Sequence, residues 1–382
     1  MKNLFNKDIK RLHTSTYKWD EQKSDDCLPF WIADSDYQTA PCVMEELQKT
    51  SLIGAYGYNK IPDEFNESIV SWYKKRYNST LSKEWIVSTT GVILEIRMLL
   101  DVLTNPGDGI ILQTPVYHTF HEVIKRMKRR IIENKLKRVN DTYQMDFVSL
   151  EEKFKEGHKV MILCSPHNPV GRIWAKEEIQ EVLKLAKKYN AFVIIDEIHS
   201  DLNITNSKFT SGIDFVDLYQ NIAVCNAPSK AFNLAGLHTA YVIIPDNKIR
   251  EKFIELKDNE FLPSPSVYGY SATIAAYTKG DEWIDCQNNH IKENYNYLKE
   301  YLNKHLPKLV VTKLEGTYLV WLDLSFTNLT TEELLEKCST AGITCSGGVN
   351  FCHDYESFLR FNIACPMEQL KEGLNRLVKA FK

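Results

Sequence analysis

The sequence predicts an α/β fold, with a large domain built on a mostly parallel sheet flanked by helices and a smaller α+β domain. Short, mostly apolar runs, such as Lys159–Cys164, Ala191–Ile195 and Ile222–Cys225, alternate with amphipathic helical stretches such as Glu177–Tyr189. Strands of this kind are buried on both faces, which is typical of parallel sheets covered by helices. The repeated strand–helix order therefore indicates crossover connections within one sheet.

The character of the chain changes after about Thr278. A long helical pattern, Trp283–His305, leads to short strand-like runs that include Thr317–Leu322 and Phe358–Ile363. A chain of 382 residues is long enough for two domains. We therefore expect residues 46–278 to form the large domain, and residues 1–45 and 279–382 together to form the smaller one.

Further elements follow from the same patterns. Ile86–Ser88 reads as a strand that leads through a glycine turn into a helix, Ile93–Leu103. Tyr143–Phe154 reads as a turn and a short helix, and Gly347–Gly348 as a flexible turn. Additional strands are expected at Gly109–Gln113, Ile131–Ile132 and Leu309–Val311, and additional helices at Pro41–Lys49, Phe65–Tyr77 and Thr331–Ala341.

Composition excludes several classes of protein. The residues are 43% hydrophobic and 25% charged, and the net charge of −3 gives no electrostatic reason to expect nucleic acid or an acidic membrane as a partner. No apolar run approaches the length of a membrane span, and Met1–Lys7 has no signal-peptide core. The nine cysteines are scattered, without a C-x-x-C pair or zinc spacing, so neither a metal site nor a disulfide framework is indicated. A reducing, cytoplasmic setting fits this usage.

Five residues that can contact a ligand follow the ends of separate predicted strands: Gly91, Tyr117, Asn168, Asp196 and Lys230. In open α/β sheets, ligands bind beyond the carboxyl ends of the strands. Gly91 opens a strand-to-helix turn that suits an anion, although many such turns contain a glycine. Each of the five has a structural explanation alone, but packing does not explain why all five occupy equivalent positions.

Lys230 lies on a turn just past the apolar run Ile222–Cys225. Lysine is rarely buried unless it is paired or functional, and a desolvated amine loses basicity, which suits Schiff-base chemistry. The alternative is a loop lysine that points to solvent. Arg360, alone in the apolar run Phe358–Ile363, could bind a carboxylate or could lie on an exposed edge strand. Tyr56–Tyr58 reads as a compact aromatic turn, either packed on the surface or in contact with a ligand.

Several motifs, in order along nearly the whole chain, resemble those of the fold-type I pyridoxal-phosphate (PLP) enzymes. Within them, the chain is similar to the class-II aminotransferase-like branch that contains the MalY/PatB cystathionine β-lyases. The motifs are Trp31–Asp36 (WIADSD), Tyr56–Tyr58 (YGY), Pro115–Tyr117 (PVY), Ser165–Gly171 (SPHNPVG), Asp196–His199 (DEIH), Ser229–Leu237 (SKAFNLAGL) and Leu359–Asn362 (LRFN).

The resemblance implies a role for each candidate residue around the ring of PLP. Lys230 would hold the cofactor through a Schiff base, and Asp196 would pair with the protonated pyridine nitrogen. Tyr117 would stack on the ring; these three would be the catalytic residues. Asn168 would form a hydrogen bond with the phenolic oxygen, with His199 close by, where many relatives have tyrosine.

The resemblance also implies how the phosphate and the substrate are held. The Gly91 and Val92 amides, with Ser229, would bind the phosphate. Tyr56 would reach the phosphate and substrate of a neighbouring subunit, which implies a homodimer with shared active sites. Arg360 would bind the α-carboxylate of an amino-acid substrate.

Two positions depart from the pattern of the family. Many aminotransferases have a phosphate-binding arginine eight positions after the lysine, where this chain has His238. Neutralisation of the phosphate must then depend on the other contacts, or on His238 if it is protonated. The lyase branch usually has methionine where this chain has Ser35, which suggests a different substrate pocket.

The implied function is PLP-dependent α,β-elimination from L-cystathionine or related cysteine S-conjugates, which gives a thiol, pyruvate and ammonia. An aminotransferase on the same fold is the alternative, because the same residues permit both reactions. A regulatory binding role is less favoured, because the sequence shows no basic patch or exposed interaction helix. A nicotinamide-binding fold is disfavoured because no G-x-G-x-x-G motif follows a strand.

Overall fold

The computed structural model describes residues 4–205 and 207–382 and contains two main sheets. Its strands are β1 Leu28–Pro29, β2 Ile86–Thr89, β3 Gly109–Leu112, β4 Arg130–Glu133, β5 Lys137–Val139, β6 Thr142–Gln144, β7 Val160–Cys164, β8 Phe192–Asp196, β9 Ile222–Asn226, β10 Ala240–Ile243, β11 Val310–Val311, β12 Leu319–Asp323, β13 Ile343–Thr344, β14 Ser346–Gly347 and β15 Phe358–Asn362. Its helices are α1 Tyr17–Asp20, α2 Pro41–Leu52, α3 Asp63–Trp72, α4 Val92–Leu103, α5 His118–Arg126, α6 Phe147–Lys155, α7 Lys176–Lys188, α8 Asn247–Asn259, α9 Val267–Lys279, α10 Asp281–His305, α11 Thr331–Thr340 and α12 Met367–Phe381.

The larger sheet has seven strands in the order β2-β10-β9-β8-β7-β3-β4. β10 runs antiparallel to both neighbours, and the other pairs are parallel. Side chains alternate between the two faces, so that Val193 and Ile195 enter one apolar cluster while Phe192 and Ile194 enter another. The central strands β3, β7, β8 and β9 are buried along their whole length, and the predicted fold class is confirmed.

The smaller sheet has four antiparallel strands in the order β11-β12-β15-β14. β15 lies between two partners, so Arg360 is on an interior strand and only 3% of its surface is exposed. The alternative interpretation of Arg360 as an exposed edge residue is therefore wrong. A separate parallel pair, β1 with β13, joins the N-terminal region to this part of the chain.

Two local predictions differ from the structure. Tyr143 is not in a turn: it pairs with Arg138 in the β5–β6 hairpin, where burial of its ring favours an extended backbone. Gly347 is in β14, and Gly348 begins a 3₁₀ turn. A Cβ at Gly348 would lie 2.1 Å from the Tyr355 carbonyl oxygen, so close packing explains this glycine. Strand β10 and helices α5, α8, α9 and α12 are among the elements that have no counterpart in the sequence prediction.

One irregular segment positions the site, and we call Trp31–Asp36 the strap. Backbone hydrogen bonds join both ends of the strap to the region of the smaller sheet: the preceding Phe30 carbonyl accepts one from the Asn362 amide, and the Asp36 amide donates one to the Ala364 carbonyl. The strap thus runs along the smaller sheet, with its other side towards the strand ends of the larger one. In the described ranges, we find no helix with the length and apolar character needed to span a membrane.

Candidate active site

A cavity of about 240 Å³ lies at the carboxyl ends of the seven-stranded sheet. Its wall includes eight of the predicted site residues: Gly91, Val92, Tyr117, Asn168, Asp196, His199, Ser229 and Lys230. The five residues that follow strand ends are therefore brought together, as expected from the topology. The other two predicted residues, Tyr56 and Arg360, do not line the cavity.

The Lys230 amine is partly buried in the wall of the cavity, on the turn after β9. Its Nζ donates a hydrogen bond to the Ala33 carbonyl of the strap at 2.7 Å. Burial lowers the pKa of Lys230, the Asp34 and Asp196 carboxylates oppose this, and the Arg360 charge adds to it. The amine is thus held in place and is less basic than an ordinary lysine, which disfavours the solvent-facing alternative.

Asp196 is the last residue of β8 and is almost fully buried. Its Oδ1 accepts a hydrogen bond from the Ile198 amide at 3.0 Å. Among the described residues, no cation forms an ion pair with it. Burial raises the pKa of Asp196 to about 6, an effect partly offset by the Ile198 amide and by the Lys230 charge. A cationic group in the cavity would stabilise its charged form.

His199 and Asn168 form another part of the wall. Burial, together with the charges of Lys230 and Arg360, lowers the pKa of His199 to about 3, so the imidazole is neutral at physiological pH. Its buried Nδ1 has no hydrogen-bond partner in the described structure. Asn168 Oδ1 accepts a hydrogen bond from Arg360 Nη1 at 3.2 Å, which places the guanidinium next to the cavity wall.

Arg360 is buried without a carboxylate partner among the described residues. Its Nη2 donates to the Trp31 carbonyl at 2.7 Å and to the Ser346 hydroxyl at 3.2 Å, while its Nε has no hydrogen-bond partner in the described ranges. The guanidinium lies 4.8 Å from the centroid of the Phe351 ring. Burial lowers the pKa of Arg360 to about 10, so it remains charged at neutral pH. A buried, unpaired guanidinium is a strong site for a ligand carboxylate.

The start of α4 provides the anion-binding end of the cavity. Gly91 precedes the helix, and a Cβ at this position would contact nothing within 4 Å, so the free amides face open space. Ser229 and His238 line the same cavity. His238 has a left-handed backbone with φ of 47°. In the described part of the chain, Lys230 is the only lysine or arginine that lines this cavity.

Tyr56 lies on the surface, away from the cavity of its own chain. Its hydroxyl donates to the Ser51 carbonyl at 2.6 Å, and its ring lies 5.7 Å from that of Tyr268. The segment around it has no regular structure, and Tyr58 is fully exposed, so the predicted compact turn is not formed. Ser35 is buried in the strap, and its side chain does not line the cavity.

The sequence prediction missed the contribution of the strap backbone. The carbonyls of Trp31 and Ala33 accept hydrogen bonds from Arg360 and Lys230, and those of Ile32 and Asp34 accept from Asn362. A carbonyl group is present at every residue, so no pattern of residue types can reveal which ones face a site. The only signal in the sequence was the apolar start of the strap, which predicts that this segment is buried.

The fold and the cavity define the class to which the chain belongs. Residues 25–377 match the model of the aminotransferase class I and II family, and the chain belongs to this family. The family resemblance and the fold predicted from the sequence are both confirmed.

Three similar proteins indicate which members of this family the chain resembles. The chain is 33% identical to cystathionine beta-lyase PatB of Bacillus subtilis, over 98% of this chain and 99% of the relative. It is 30% identical to protein MalY of Escherichia coli K12, over 99% of this chain and 98% of that protein. It also resembles the crystal structure of cystalysin from Treponema denticola, which contains a pyridoxal 5'-phosphate cofactor, with a TM-score of 0.95, 31% identity and 98% coverage of both chains.

Proposed function

We propose that this chain is a PLP-dependent carbon–sulfur β-lyase that cleaves L-cystathionine or related cysteine S-conjugates to a thiol, pyruvate and ammonia. The proposal depends on the amine of Lys230, which is half-buried and less basic than that of an ordinary lysine. It lies near the buried Asp196 and near Arg360, which is buried without a carboxylate partner among the described residues. The names of the full-length relatives, cystathionine beta-lyase among them, support the substrate class.

The residues of the cavity fit the cofactor. Lys230 supplies the amine that binds an aldehyde, and Asp196, which has no cation partner in the described structure, can pair with a protonated ring nitrogen. The unpartnered Nδ1 of His199 and the side chain of Asn168 are polar groups available to the ring oxygen, and Tyr117 supplies an aromatic face.

The phosphate would be held at the start of α4. The Gly91 and Val92 amides are open to the cavity, and the Ser229 hydroxyl lines the same wall. The helix dipole favours an anion there. His238 stands beside them and adds positive charge when it is protonated.

The reaction assigns a separate task to each charged group. When bound, PLP supplies an electron sink for the Cα of the substrate. Arg360 binds the substrate carboxylate through its guanidinium and orients the Cα–H bond. The Lys230 amine takes the Cα proton as general base, a role that its lowered pKa favours. Asp196 stays ionised when a positive ring nitrogen is its partner.

An aminotransferase is the alternative, because the chain belongs to the aminotransferase class I and II family. Both reactions need the same carboxylate site and the same proton transfer, so the residues of the cavity permit either. A transaminase requires a keto-acid acceptor, whereas a lyase releases pyruvate without one. A regulatory binding role remains the least favoured hypothesis.

We also propose a homodimer with shared active sites. Large apolar side chains are exposed in two segments that contact each other through Tyr56 and Tyr268: Leu52, Ile53, Tyr56, Tyr58 and Phe261. Such patches are uncommon on monomers and typical of interfaces. Burial of this patch against a second copy would bring Tyr56 to the partner's phosphate and substrate.

Two further assignments are proposals. The division into a domain of residues 46–278 and one formed by residues 1–45 and 279–382 is supported by the separation of the two main sheets along the chain, although residues 1–3 lie outside the described ranges. A cytoplasmic location is supported by the nine cysteines, all of which are free.

A steady-state assay with L-cystathionine tests the function. We expect pyruvate and free thiol in equal amounts from the PLP-loaded protein without any added keto acid. Strict dependence on a keto-acid acceptor would overturn the lyase in favour of the aminotransferase. Absence of both products with either substrate mixture would overturn the enzymatic proposal.

A further inference from the structure

The strap is held in place by two cations from the first twenty residues of the chain, the buried Lys18 and the partly buried Arg11. Lys18 is 1% exposed, and its Nζ donates to Asp36 Oδ2 and to the Asp34 carbonyl, both at 2.8 Å. Arg11 binds both carboxylate oxygens of Asp34 and also reaches the Ser35 carbonyl and Asp36 Oδ1. These contacts fix the second half of the strap at both its carboxylates and its backbone.

Asp36 is the centre of this arrangement. In addition to the two cations, it accepts hydrogen bonds from Trp19 Nε1 at 2.8 Å and from Gln369 Nε2 at 3.1 Å. Its carboxylate is thus satisfied on both oxygens although it is only 4% exposed. The Trp31 indole donates back to the Lys18 carbonyl at 3.1 Å, which ties the first half of the strap to α1.

Burial of a lysine and an aspartate is costly, and an apolar pair of similar volume is often as stable. The arrangement therefore needs a reason beyond stability. The strap that it fixes is the same segment whose carbonyls hold Arg360, through Trp31, and Lys230, through Ala33. The Lys230 amine has no other hydrogen-bond partner among the described residues.

We propose that Lys18, together with Arg11 and Asp36, is a positioning group that fixes the strap so that its carbonyls hold Arg360 and Lys230 in their working orientations. Lys18 contacts neither substrate nor cofactor in this account. It acts through a backbone that would otherwise be free to turn its carbonyls away from the two cations. The inference rests on the proposed role of Arg360 as the carboxylate site.

The test measures binding of a carboxylate that cannot react. 3-(Methylthio)propionate has the carboxylate and thioether of S-methylcysteine but lacks its amine, and its binding to the PLP-loaded protein can be followed by calorimetry without turnover. We expect Lys18→Met to raise its dissociation constant about tenfold, in line with the loss of contacts that support a ligand-binding group. We expect the same increase for Asp36→Asn, which is measured instead if Lys18→Met does not fold.

Arg129→Met is the matched control. The Arg129 side chain is also buried and also pairs with an aspartate, Asp101. Asp101 is near the C-terminal end of α4, whereas Gly91 precedes the first residue of this helix. Its loss should lower the melting temperature and leave the dissociation constant unchanged. The inference is overturned if Lys18→Met binds the carboxylate as wild type does, or if Arg129→Met weakens binding equally. If wild type itself does not bind the carboxylate, the proposed role of Arg360 fails, and this inference with it.

Discussion

The strap and the carboxyl ends of the seven-stranded sheet both bury charged side chains next to one cavity, but they satisfy them in opposite ways. In the strap, Asp34 and Asp36 are each paired with a cation. At the strand ends, the Asp196 carboxylate accepts a hydrogen bond from a backbone amide and forms no ion pair with any described residue. In the first turn of α4, the buried Glu95 accepts one from the Thr89 hydroxyl, and its Oε2 has no hydrogen-bond partner in the described part of the chain.

The difference separates structural charges from functional ones. A paired buried charge has already recovered its desolvation cost, and its effect is to hold a segment in one place. An unpaired one next to a cavity keeps a shifted pKa and can be completed by a ligand. Asp196, Lys230 and Arg360 belong to the second kind, so variants at these residues should damage chemistry or binding more than folding.

The largest effect is expected from Lys230→Ala. It removes both the amine that binds the cofactor and the general base, so pyruvate release should fall by a factor of about 10³ or more. Lys257→Ala is the control, because the Lys257 amine also donates to a backbone carbonyl, that of Ser88, but does not line the cavity. Comparable losses in both variants would contradict the account.

Asp196→Asn should have the next largest effect. Removal of one member of a buried charge pair costs about 3–5 kcal/mol, so kcat/KM should fall by roughly 10²–10⁴ with the cofactor bound. Asp201→Asn is matched to it: Asp201 is buried, its pKa is also raised by burial to about 6, and Trp72 and Tyr77 donate to it away from the cavity. Asp201→Asn should have a lower melting temperature, measured by thermal unfolding, and an unchanged kcat/KM, measured from initial rates.

Arg360→Lys should act mainly on substrate binding. It keeps the charge and loses the two-pronged geometry, so KM for L-cystathionine should rise by a factor of about 10–10² with a smaller change in kcat. Steady-state kinetics separate the two parameters. A fall in kcat alone would mean that Arg360 does not bind the substrate carboxylate.

The smallest effect concerns pH and stability. Burial raises the pKa of Glu95 to about 8, well above its value in an unfolded chain. The folded state therefore retains a proton that the unfolded state has lost, and the stability from this group falls as pH rises from roughly 4.5 to 8.

Glu95→Gln should remove that pH dependence. Relative to wild type, its melting temperature should rise between pH 5 and pH 8.5, whereas the exposed control Glu67→Gln should show no such trend. A constant difference between Glu95→Gln and wild type across this range would show that the Glu95 carboxyl is not protonated in the folded state.

Features carried by residue type and strand order could be predicted from the sequence. Continuous apolar runs located the parallel strands, and the residues after them, such as Gly91 and Asn168, line one cavity as expected. The positions of these residues follow from the strand pattern alone, because the carboxyl ends of parallel strands meet at one edge of the sheet.

Features that depend on contacts between distant parts of the chain could not be predicted. Arg360 and Trp31 are separated by 329 positions, and Lys230 and Ala33 by 197. Burial of Lys18 also had no sequence signal, because a lysine in a polar stretch is normally solvated. Tyr56 illustrates a third case, since its predicted partner is another copy of the chain.

The identity of the lysine that carries the cofactor tests the central claim most directly. The PLP-loaded protein can be reduced with borohydride, digested and analysed by mass spectrometry. The account predicts a single pyridoxyl-modified peptide with the label on Lys230. A label on any other lysine, or no label after reduction, would contradict it.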